Sequence, residues 1–394
     1  MNNYKHTAIG AGTAIGAGLL CLAFGSPLLA QAGPGDSGQA ARAGVGNQVT
    51  NPSSGVAEGE PGDTSGPPED GDGSLQQAYK DYTAKKFSVA TTELLKIEKK
   101  SPNEVIAHQM LADIYLQQNQ IPQAIPELQT VLRLKPKDTA TRDNLGVAYL
   151  QSGDPASAAS QFQAALLQSP ANATYAYQYA IALEKGGKHA DAAAAFEKAA
   201  ALDPKNSEDA LYAGLLYHQI GNNTKAVPYL KSAIALGTTD KFLAYSALAE
   251  AATTAKQTPE AIQYLTLAAQ AKPDDFATEA NLGILDQNSG KKADAEAAYQ
   301  QALTLKAADP IGMASVESNL AMLLTSDGKL DQAAALLVQA TQADPTDVGL
   351  LDNLGAVYEK QAKPALALAA YKQALAVNPA NGLAKAGIAR LSKP

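Results

Sequence analysis

The sequence contains few of the residues that enzymes use for chemistry. Among its 394 residues there are one cysteine and four histidines. A metal centre or an activated nucleophile needs donor groups clustered at a fixed spacing. The chain contains no HExxH motif, no phosphate-binding loop, no GxSxG motif and no paired-carboxylate motif. We therefore predict a protein without catalytic activity, metal or cofactor.

The one cysteine, Cys21, excludes a disulfide framework. It does not fit a lipoprotein signal either, because such a signal needs a small residue just before the cysteine and Leu20 stands there. Removal of the segment that holds Cys21 would leave a chain without thiols. A chain without thiols cannot mispair, so this composition fits export to an oxidising compartment.

The chain also lacks a cluster of basic residues. Its net charge is −8, and segment 33–73 carries seven acidic residues against Arg42, a net of −6. The residues that follow are close to neutral, at about −3. Binding to a phosphate backbone needs Lys and Arg grouped on one face. We therefore exclude nucleic acid as a partner.

The same segment, 33–73, is rich in Gly, Pro and Ser and has almost no large apolar residue. Such a composition cannot bury enough apolar surface to fold, so we predict a disordered linker. Two roles remain open for it. It is either a spacer that holds the rest of the chain away from a surface or plain solvated chain.

Residues 1–32 have the pattern of a secretory signal peptide. One lysine precedes an apolar stretch at 8–24, and Ala30-Gln31-Ala32 leads to the expected cleavage site after Ala32, ahead of a Gly/Pro-rich run. The pattern predicts an exported protein, periplasmic or secreted. The alternative is an uncleaved anchor in the inner membrane at 8–30, a stretch that nearly reaches across a bilayer.

The rest of the chain is built on a 34-residue unit, most clearly seen at 139–172. Two apolar patterns of helical period are separated by a break at Gly153, Asp154 and Pro155. Small residues stand at places 8, 20 and 27 of the unit, and Pro170 closes it at place 32. The unit therefore predicts a helix, a tight turn and a second helix that packs closely on the first.

This register persists nine times. Place 20 is always alanine: Ala90, Ala124, Ala158, Ala192, Ala226, Ala261, Ala295, Ala333 and Ala367. Place 8 is always Gly or Ala: Ala78, Ala112, Gly146, Ala180, Gly214, Ala249, Gly283, Ala321 and Gly355. Closing prolines recur at Pro102, Pro136, Pro170, Pro204, Pro273, Pro345 and Pro379.

The spacing resembles the tetratricopeptide repeat (TPR) over residues 71–381. The resemblance implies an all-α fold, a right-handed α-solenoid of about nine helix-turn-helix repeats in one domain at 74–381. A C-terminal capping helix is expected at 382–394. The nine repeats are 71–104, 105–138, 139–172, 173–206, 207–240, 242–275, 276–309, 314–347 and 348–381.

Two junctions between repeats break the 34-residue step. The junction at 237–241 lacks a closing proline and adds Lys241, and residues 310–313 add four positions before the eighth repeat. We predict that both junctions change the stacking angle between repeats; whether they act as hinges stays open.

The resemblance also implies where a partner binds. In that family, the first helices of successive repeats line a concave groove. The residues that line it stand at places 2, 5, 6, 9, 12 and 13 of each repeat, and we call the surface that they form the first-helix face. The predicted partner-binding residues there are Tyr79, Tyr82, Gln109, Met110, Asn144, Val147, Tyr177, Gln178, Tyr212, Leu215, His218, Asn281, Asn319 and Asn353. Amide side chains both donate to and accept from a peptide backbone, and Tyr and Met offer adaptable apolar area.

Four of these residues, Asn144, Asn281, Asn319 and Asn353, share place 6 and resemble the asparagine ladder of some TPR grooves. The basic clamp that some TPR co-chaperones use for a C-terminal carboxylate is disfavoured, because no frame of three repeats supplies its cations. His108 and His189 stand where the TPR pattern packs an aromatic ring, so we expect structural roles for them.

These expectations combine into a function. We expect an exported bacterial TPR scaffold that binds a protein or an extended peptide and touches a membrane only through an uncleaved N-terminal segment. The alternative is a structural subunit of an envelope assembly, for polysaccharide export or outer-membrane assembly, held through convex faces or edges. That alternative predicts contiguous apolar patches outside the first-helix face.

Overall fold

The structure is a computed structural model that describes residues 73–305 and 309–392. Within these ranges it contains nineteen α-helices and no strand. The helices are α1 Ser74–Thr83, α2 Phe87–Lys100, α3 Val105–Gln117, α4 Ile121–Leu134, α5 Thr139–Gln151, α6 Pro155–Gln168, α7 Ala173–Lys185, α8 His189–Leu202, α9 Ser207–Gln219, α10 Asn223–Ala235, α11 Lys241–Thr254, α12 Thr258–Ala271, α13 Phe276–Asn288, α14 Lys292–Thr304, α15 Pro310–Ser326, α16 Leu330–Ala343, α17 Val348–Lys360, α18 Pro364–Val377 and α19 Gly382–Leu391. The all-α fold predicted from the repeat is confirmed. The predicted signal peptide and residues 33–72 of the predicted linker lie outside the described residues.

Each predicted repeat is a pair of antiparallel helices joined by a tight turn at place 15. The residue at this place has a positive φ in all nine repeats, as in Gly153 (φ 80°) and Ala362 (φ 54°). Five of the nine are glycines, and the other four are Lys85, Asn119, Lys256 and Ala362. The left-handed residue ends the first helix and lets the next N–H groups bond back to its last carbonyls, as Asp154 N does to Tyr149 O at 2.8 Å.

Alanine at place 20 lies at the start of the second helix of each repeat and belongs to the core. All nine of these alanines are fully buried. The small residue at place 8 faces the side chain at place 24. A Cβ added to Gly146 would stand 2.5 Å from Cε1 of Phe162, and one added to Gly355 would stand 2.6 Å from Cε1 of Tyr371. Glycine at place 8 therefore makes room for a ring from the second helix.

The described residues fall into two compact units, 73–239 and 240–392. The boundary coincides with the first irregular junction. The added residue Lys241 is the first residue of α11, and the four added residues 310–313 form an extra first turn of α15, which has 17 residues instead of the usual 13. The insertions are thus taken up as helix, and the predicted change in stacking angle stays a prediction.

No helix among the described residues is both long and apolar enough to cross a membrane. The first helices differ in how far they are covered: α9 has nine buried residues among thirteen, whereas α5 has four among thirteen. The side chains that keep surface on the first helices determine what a partner could contact.

Candidate functional site

The first-helix face of unit 73–239 is formed by α1, α3, α5, α7 and α9. Neighbouring first helices are joined there by side-chain hydrogen bonds. The hydroxyl of Tyr82 in the first repeat donates to Asp113 in the second, and Gln117 Nε2 donates to the same carboxylate at 2.7 Å. Burial raises the pKa of Asp113, and the two donated hydrogen bonds lower it in part. The bond from Tyr82 links the first two repeats on this face, and the bond from Gln117, within α3, holds the Asp113 carboxylate in place.

A similar contact joins the third and fourth repeats. Burial raises the pKa of Asp143 to about 6, and a hydrogen bond with the side chain of Gln178 opposes the rise. Within the described part of the chain, Asp143 Oδ1 and Gln178 Oε1 are buried and accept no hydrogen bond. A buried acceptor without a donor costs free energy. Two acceptor oxygens in the middle of this face therefore lack a donor from the described residues.

The predicted partner-binding residues of this unit divide into two groups. Tyr79, Gln109, Asn144, Val147, Gln178 and His218 are half-buried and keep part of their surface. Met110 (0% exposed) and Leu215 (1% exposed) belong to the core, and Tyr82, Tyr177 and Tyr212 are also buried. The first group offers surface to a partner, whereas the second chiefly stabilises the repeats.

The buried tyrosines have a visible structural role. Tyr177 meets Phe196 edge to face with 5.6 Å between ring centroids, and Phe196 stacks on Tyr212 at 5.3 Å. Aromatic pairs at these distances stabilise a core beyond their buried area. Sequence spacing placed these residues on the first helix but did not show that second-helix rings cover them.

In unit 240–392 the place-6 asparagines Asn281, Asn319 and Asn353 are all half-buried. Asn353 Nδ2 donates to Ser318 Oγ in the preceding repeat at 3.4 Å. Asn319 bonds the hydroxyl of Tyr299, which opposes the increase in the Tyr299 pKa caused by burial. Two of the three asparagines thus tie neighbouring elements together, and their role as a peptide-binding ladder stays a prediction.

The sequence analysis missed the acidic character of the first-helix face. Between residues 73 and 239, the six places carry Asp113, Asp143, Glu184 and Glu208 against one lysine, Lys185, and one histidine, His218. The signal was available, since reading every ionisable residue at these places finds them. The burial of Asp113 and Asp143 needed the structure.

One group of side chains has the composition of a metal site. Ligand atoms of Glu98, His108 and Glu127 lie within 4.8 Å of one another. His108 Nδ1 lies 2.6 Å from Glu127 Oε2, and His108 Nε2 lies 3.1 Å from the carbonyl oxygen of Pro102. Both ring nitrogens are therefore already engaged by the protein.

The next repeat explains this group without a metal. At the same places, Arg142 donates to Gln161 Oε1 at 3.2 Å and to the carbonyl oxygen of Pro136 at 2.7 Å. The side chain at place 4 thus hydrogen-bonds to two residues, the closing proline of the preceding repeat and the residue at place 23 of its own repeat. His108 makes the same tie, in line with the structural role expected for it.

Comparison with known proteins agrees with this architecture. Family models described as tetratricopeptide repeat match residues 144–207, 211–276 and 348–381, and one described as TPR repeat matches 112–153. Among curated proteins, the chain is 31% identical over 83 residues to a photosystem I assembly protein, Ycf3, of Synechococcus sp. (strain WH7803). A Ycf3 of Prochlorococcus marinus (strain MIT 9211) is 30% identical over the same length. These matches cover 21% of this chain and span about half, 47%, of each relative.

Two solved structures are similar to the chain at lower identity. A crystal structure of YrrB, titled a TPR protein with an unusual peptide-binding site, is 20% identical with a TM-score of 0.45, over 50% of this chain and 99% of that one. PilF of Pseudomonas aeruginosa is 18% identical with a TM-score of 0.41, over 56% of this chain and 98% of that one. The nine registered repeats and the matched family models agree, and the chain belongs to the tetratricopeptide-repeat family.

Proposed function

We propose that this chain is a non-catalytic scaffold that binds a protein or an extended peptide on its first-helix face. The observation that carries the proposal is a row of half-buried side chains on consecutive first helices, from Tyr79 on α1 to His218 on α9. TPR proteins generally act through protein partners, which supports the same function. The recognition mode, the exact residues and the cellular location belong to the proposal.

The packing of the first helices supports a binding role. Hydrogen bonds between repeats, such as that from Tyr82 to Asp113, hold neighbouring helices in register before any partner arrives. Half-buried amides of Gln109, Asn144 and Gln178 combine donors and acceptors along this register. A preorganised surface loses little conformational entropy on binding, so more of the contact energy remains as affinity.

We place this scaffold in the cell envelope, as a periplasmic or secreted protein or one held at the inner membrane by residues 8–30. The support is the sequence pattern of residues 1–32, which lie outside the described residues. Removal or retention of the segment is measured directly by the mass of the chain purified from the envelope fraction. A chain found only in the cytosol at full mass would contradict this location.

A second candidate function is a structural subunit of an envelope assembly that uses the second helices. One observation favours it: Leu167 on α6 is 76% exposed. The other exposed large apolar side chains lie on different helices, such as Val89 on α2 and Leu366 on α18. The two candidates differ in the surface that a partner contacts. It is the first-helix face for the scaffold and the second helices for the assembly subunit.

The test is capture of partners from an envelope extract with the full chain and two variants. The first variant combines Asn144→Ala with Gln178→Ala on the first-helix face, where both amides are half-buried. The control combines Gln163→Ala with Gln168→Ala, two exposed amides on α6. We expect the first pair to reduce capture at least tenfold, which is about 1.4 kcal/mol, and the control pair to leave it unchanged.

Circular dichroism separates a binding defect from unfolding, because both pairs should retain the helical signal of the parent chain. Capture that survives the first pair and is lost with the control pair would overturn the proposal and favour the assembly subunit. Tyr177 and Tyr212 are unsuitable for this test, since both are buried in the core.

A further inference from the structure

The second helices of neighbouring repeats form a groove over the first helix between them. Three residues line the groove between the fourth and fifth repeats. Glu197 stands at place 25 of the fourth repeat, and Tyr217 and Lys225 stand at places 11 and 19 of the fifth. Lys225 Nζ lies 2.9 Å from Glu197 Oε2 and 3.2 Å from the hydroxyl of Tyr217. It also lies 4.9 Å from the centroid of the Tyr217 ring. This groove is therefore occupied by a lysine side chain of the protein itself.

The groove of the sixth and seventh repeats has the same geometry and different residues. Places 11 and 19, which hold Tyr217 and Lys225 in the fifth repeat, hold Asp286 and Asp294 in the seventh. Place 23, which holds Tyr229 in the fifth repeat, holds Ala298. Loss of the ring and of the lysine leaves an open cavity of about 560 Å³ between α12, α13 and α14.

The cavity is acidic. Glu279, Asp286 and Asp294 line it together with a single cation, Lys291. Lys291 Nζ lies 3.4 Å from Asp286 Oδ1, and the Asp286 side chain is only 5% exposed. Lys291 is the ion-pair partner of that buried oxygen, and no better-aligned hydrogen bond reaches it from the described residues. One ammonium group thus serves a cavity lined by three carboxylates.

Glu279 lines the cavity from α13 and is half-buried. Burial raises its pKa, and no hydrogen bond opposes the rise. For Asp286 too, burial raises the pKa, Lys291 lowers it, and the charge of Asp294 raises it further. A second positive charge in the cavity would stabilise these carboxylates in their ionised form.

The rest of the lining suits the stem of a long cationic side chain. Ile262, Leu282 and Ala297 supply apolar surface beside the carboxylates. Lysine and arginine bury their methylene stems along such surface while the charged end meets an acceptor. The corresponding cavity of the eighth and ninth repeats has Tyr358 and Leu366 at the two acidic places, and its lining holds one carboxylate, Asp331, against one cation, Lys363, so it is less acidic.

We propose that the cavity lined by Glu279, Asp286 and Asp294 binds a lysine or arginine side chain from a partner polypeptide, in the place that Lys225 occupies in the groove of the fourth and fifth repeats. The charge complementarity of the cavity and this internal counterpart identify the occupant. The site lies on the second helices, outside the first-helix face. It is an additional contact and does not depend on the function proposed above.

Methyl NMR of the full chain, labelled at Ile, Leu and Val, tests the site. The probe is the peptide acetyl-Gly-Ser-Lys-Ser-Gly-amide, compared with the same peptide carrying norleucine for lysine. We expect saturable shifts of the Ile262 and Leu282 methyls, with the lysine peptide bound at least fivefold more tightly. The methyls of Val338 and Leu366 in the less acidic cavity of the eighth and ninth repeats are the internal control.

Two variants locate the effect. Asp294→Asn and Glu279→Gln should each weaken the lysine peptide about threefold to tenfold, whereas Asp191→Asn, at place 19 of the fourth repeat, should not. Equal binding of the two peptides would overturn the proposal, as would equal weakening by Asp294→Asn and Asp191→Asn. Shifts caused by free cadaverine and not by the lysine peptide would also overturn it, because the source would then be a small amine.

Discussion

At the scale of single residues, the repeat depends on a match between place 8 and place 24. Repeats with Ala at place 8 mostly carry Leu at place 24, as Ala78 does with Leu94, whereas Gly146 and Gly355 face rings. The fourth and fifth repeats depart from this match, with Ala180 facing Phe196 and Gly214 facing Leu230. Sequence reading found that place 8 is small, but only the structure shows which side chain limits its size.

This match predicts the effect of Gly146→Ala. The new methyl group would overlap the Phe162 ring, so we expect a loss of about 1–3 kcal/mol in the free energy of unfolding. Phe162→Leu leaves a cavity and is also expected to destabilise the chain. The double variant recreates the Ala and Leu pair of other repeats, so its loss should be at least 1 kcal/mol smaller than the sum of the single losses. Urea unfolding measures all three, and simple additivity would show that the two places are not coupled.

A second prediction concerns the pH dependence of stability. Because burial raises the pKa of Asp143 to about 6 in the folded chain, the folded state holds this proton between about pH 4 and pH 6, where the unfolded state has lost it. The contribution of Asp143 to the free energy of unfolding therefore decreases as the pH rises from about 4 to about 6, and it does not change further above about pH 6. Asp143→Asn should raise stability at pH 7 by about 1–2 kcal/mol and flatten the dependence.

Urea unfolding at pH 4.5 and at pH 7 tests this sign. The exposed Asp274 provides the control, since Asp274→Asn should change stability by less than about 0.5 kcal/mol at either pH. An Asp143→Asn chain that is less stable than the parent at pH 7 would mean that the ionised carboxylate is better solvated than its burial indicates.

At the scale of helices, most boundaries were predictable and the turns were less so. The break at Gly153 to Pro155 and the prolines near helix starts mark the second helices correctly, as Pro155 begins α6 and Pro364 begins α18. The positive φ at place 15 was not predicted, because four repeats have a residue other than glycine there. The turn geometry overrides the local preference of those residues, since the flanking helices are fixed by core packing.

The turn at Ala362 gives a prediction with a built-in control. Its φ of 54° is unfavourable for a residue with a Cβ, and the side chain is exposed, so Ala362→Gly should stabilise the chain by about 0.5–1 kcal/mol. The same substitution at the exposed Ala369 inside α18 should destabilise it by about 1 kcal/mol. Thermal unfolding followed by circular dichroism compares the two. A destabilising Ala362→Gly would show that the turn does not strain the alanine.

At the scale of the whole chain, nine repeats in register predict the all-α fold from sequence alone. Function was less predictable, because one residue pattern serves both packing and binding. Tyr177 and Tyr212 stand at places expected to contact a partner, yet Phe196 covers them, whereas Asn144 and Gln178 keep exposed surface. Place in the repeat identifies the helix face, and burial decides which side chains on it reach a partner.

The central claim is that a partner contacts the first-helix face, and site-specific photocrosslinking tests it most directly. A benzophenone amino acid replaces Val147, which is half-buried on α5, or Leu167, which is 76% exposed on α6. In cells that express the full chain, we predict a discrete adduct of higher mass from position 147 and none from position 167. An adduct from position 167 with none from position 147 would contradict the claim and move recognition to the second helices.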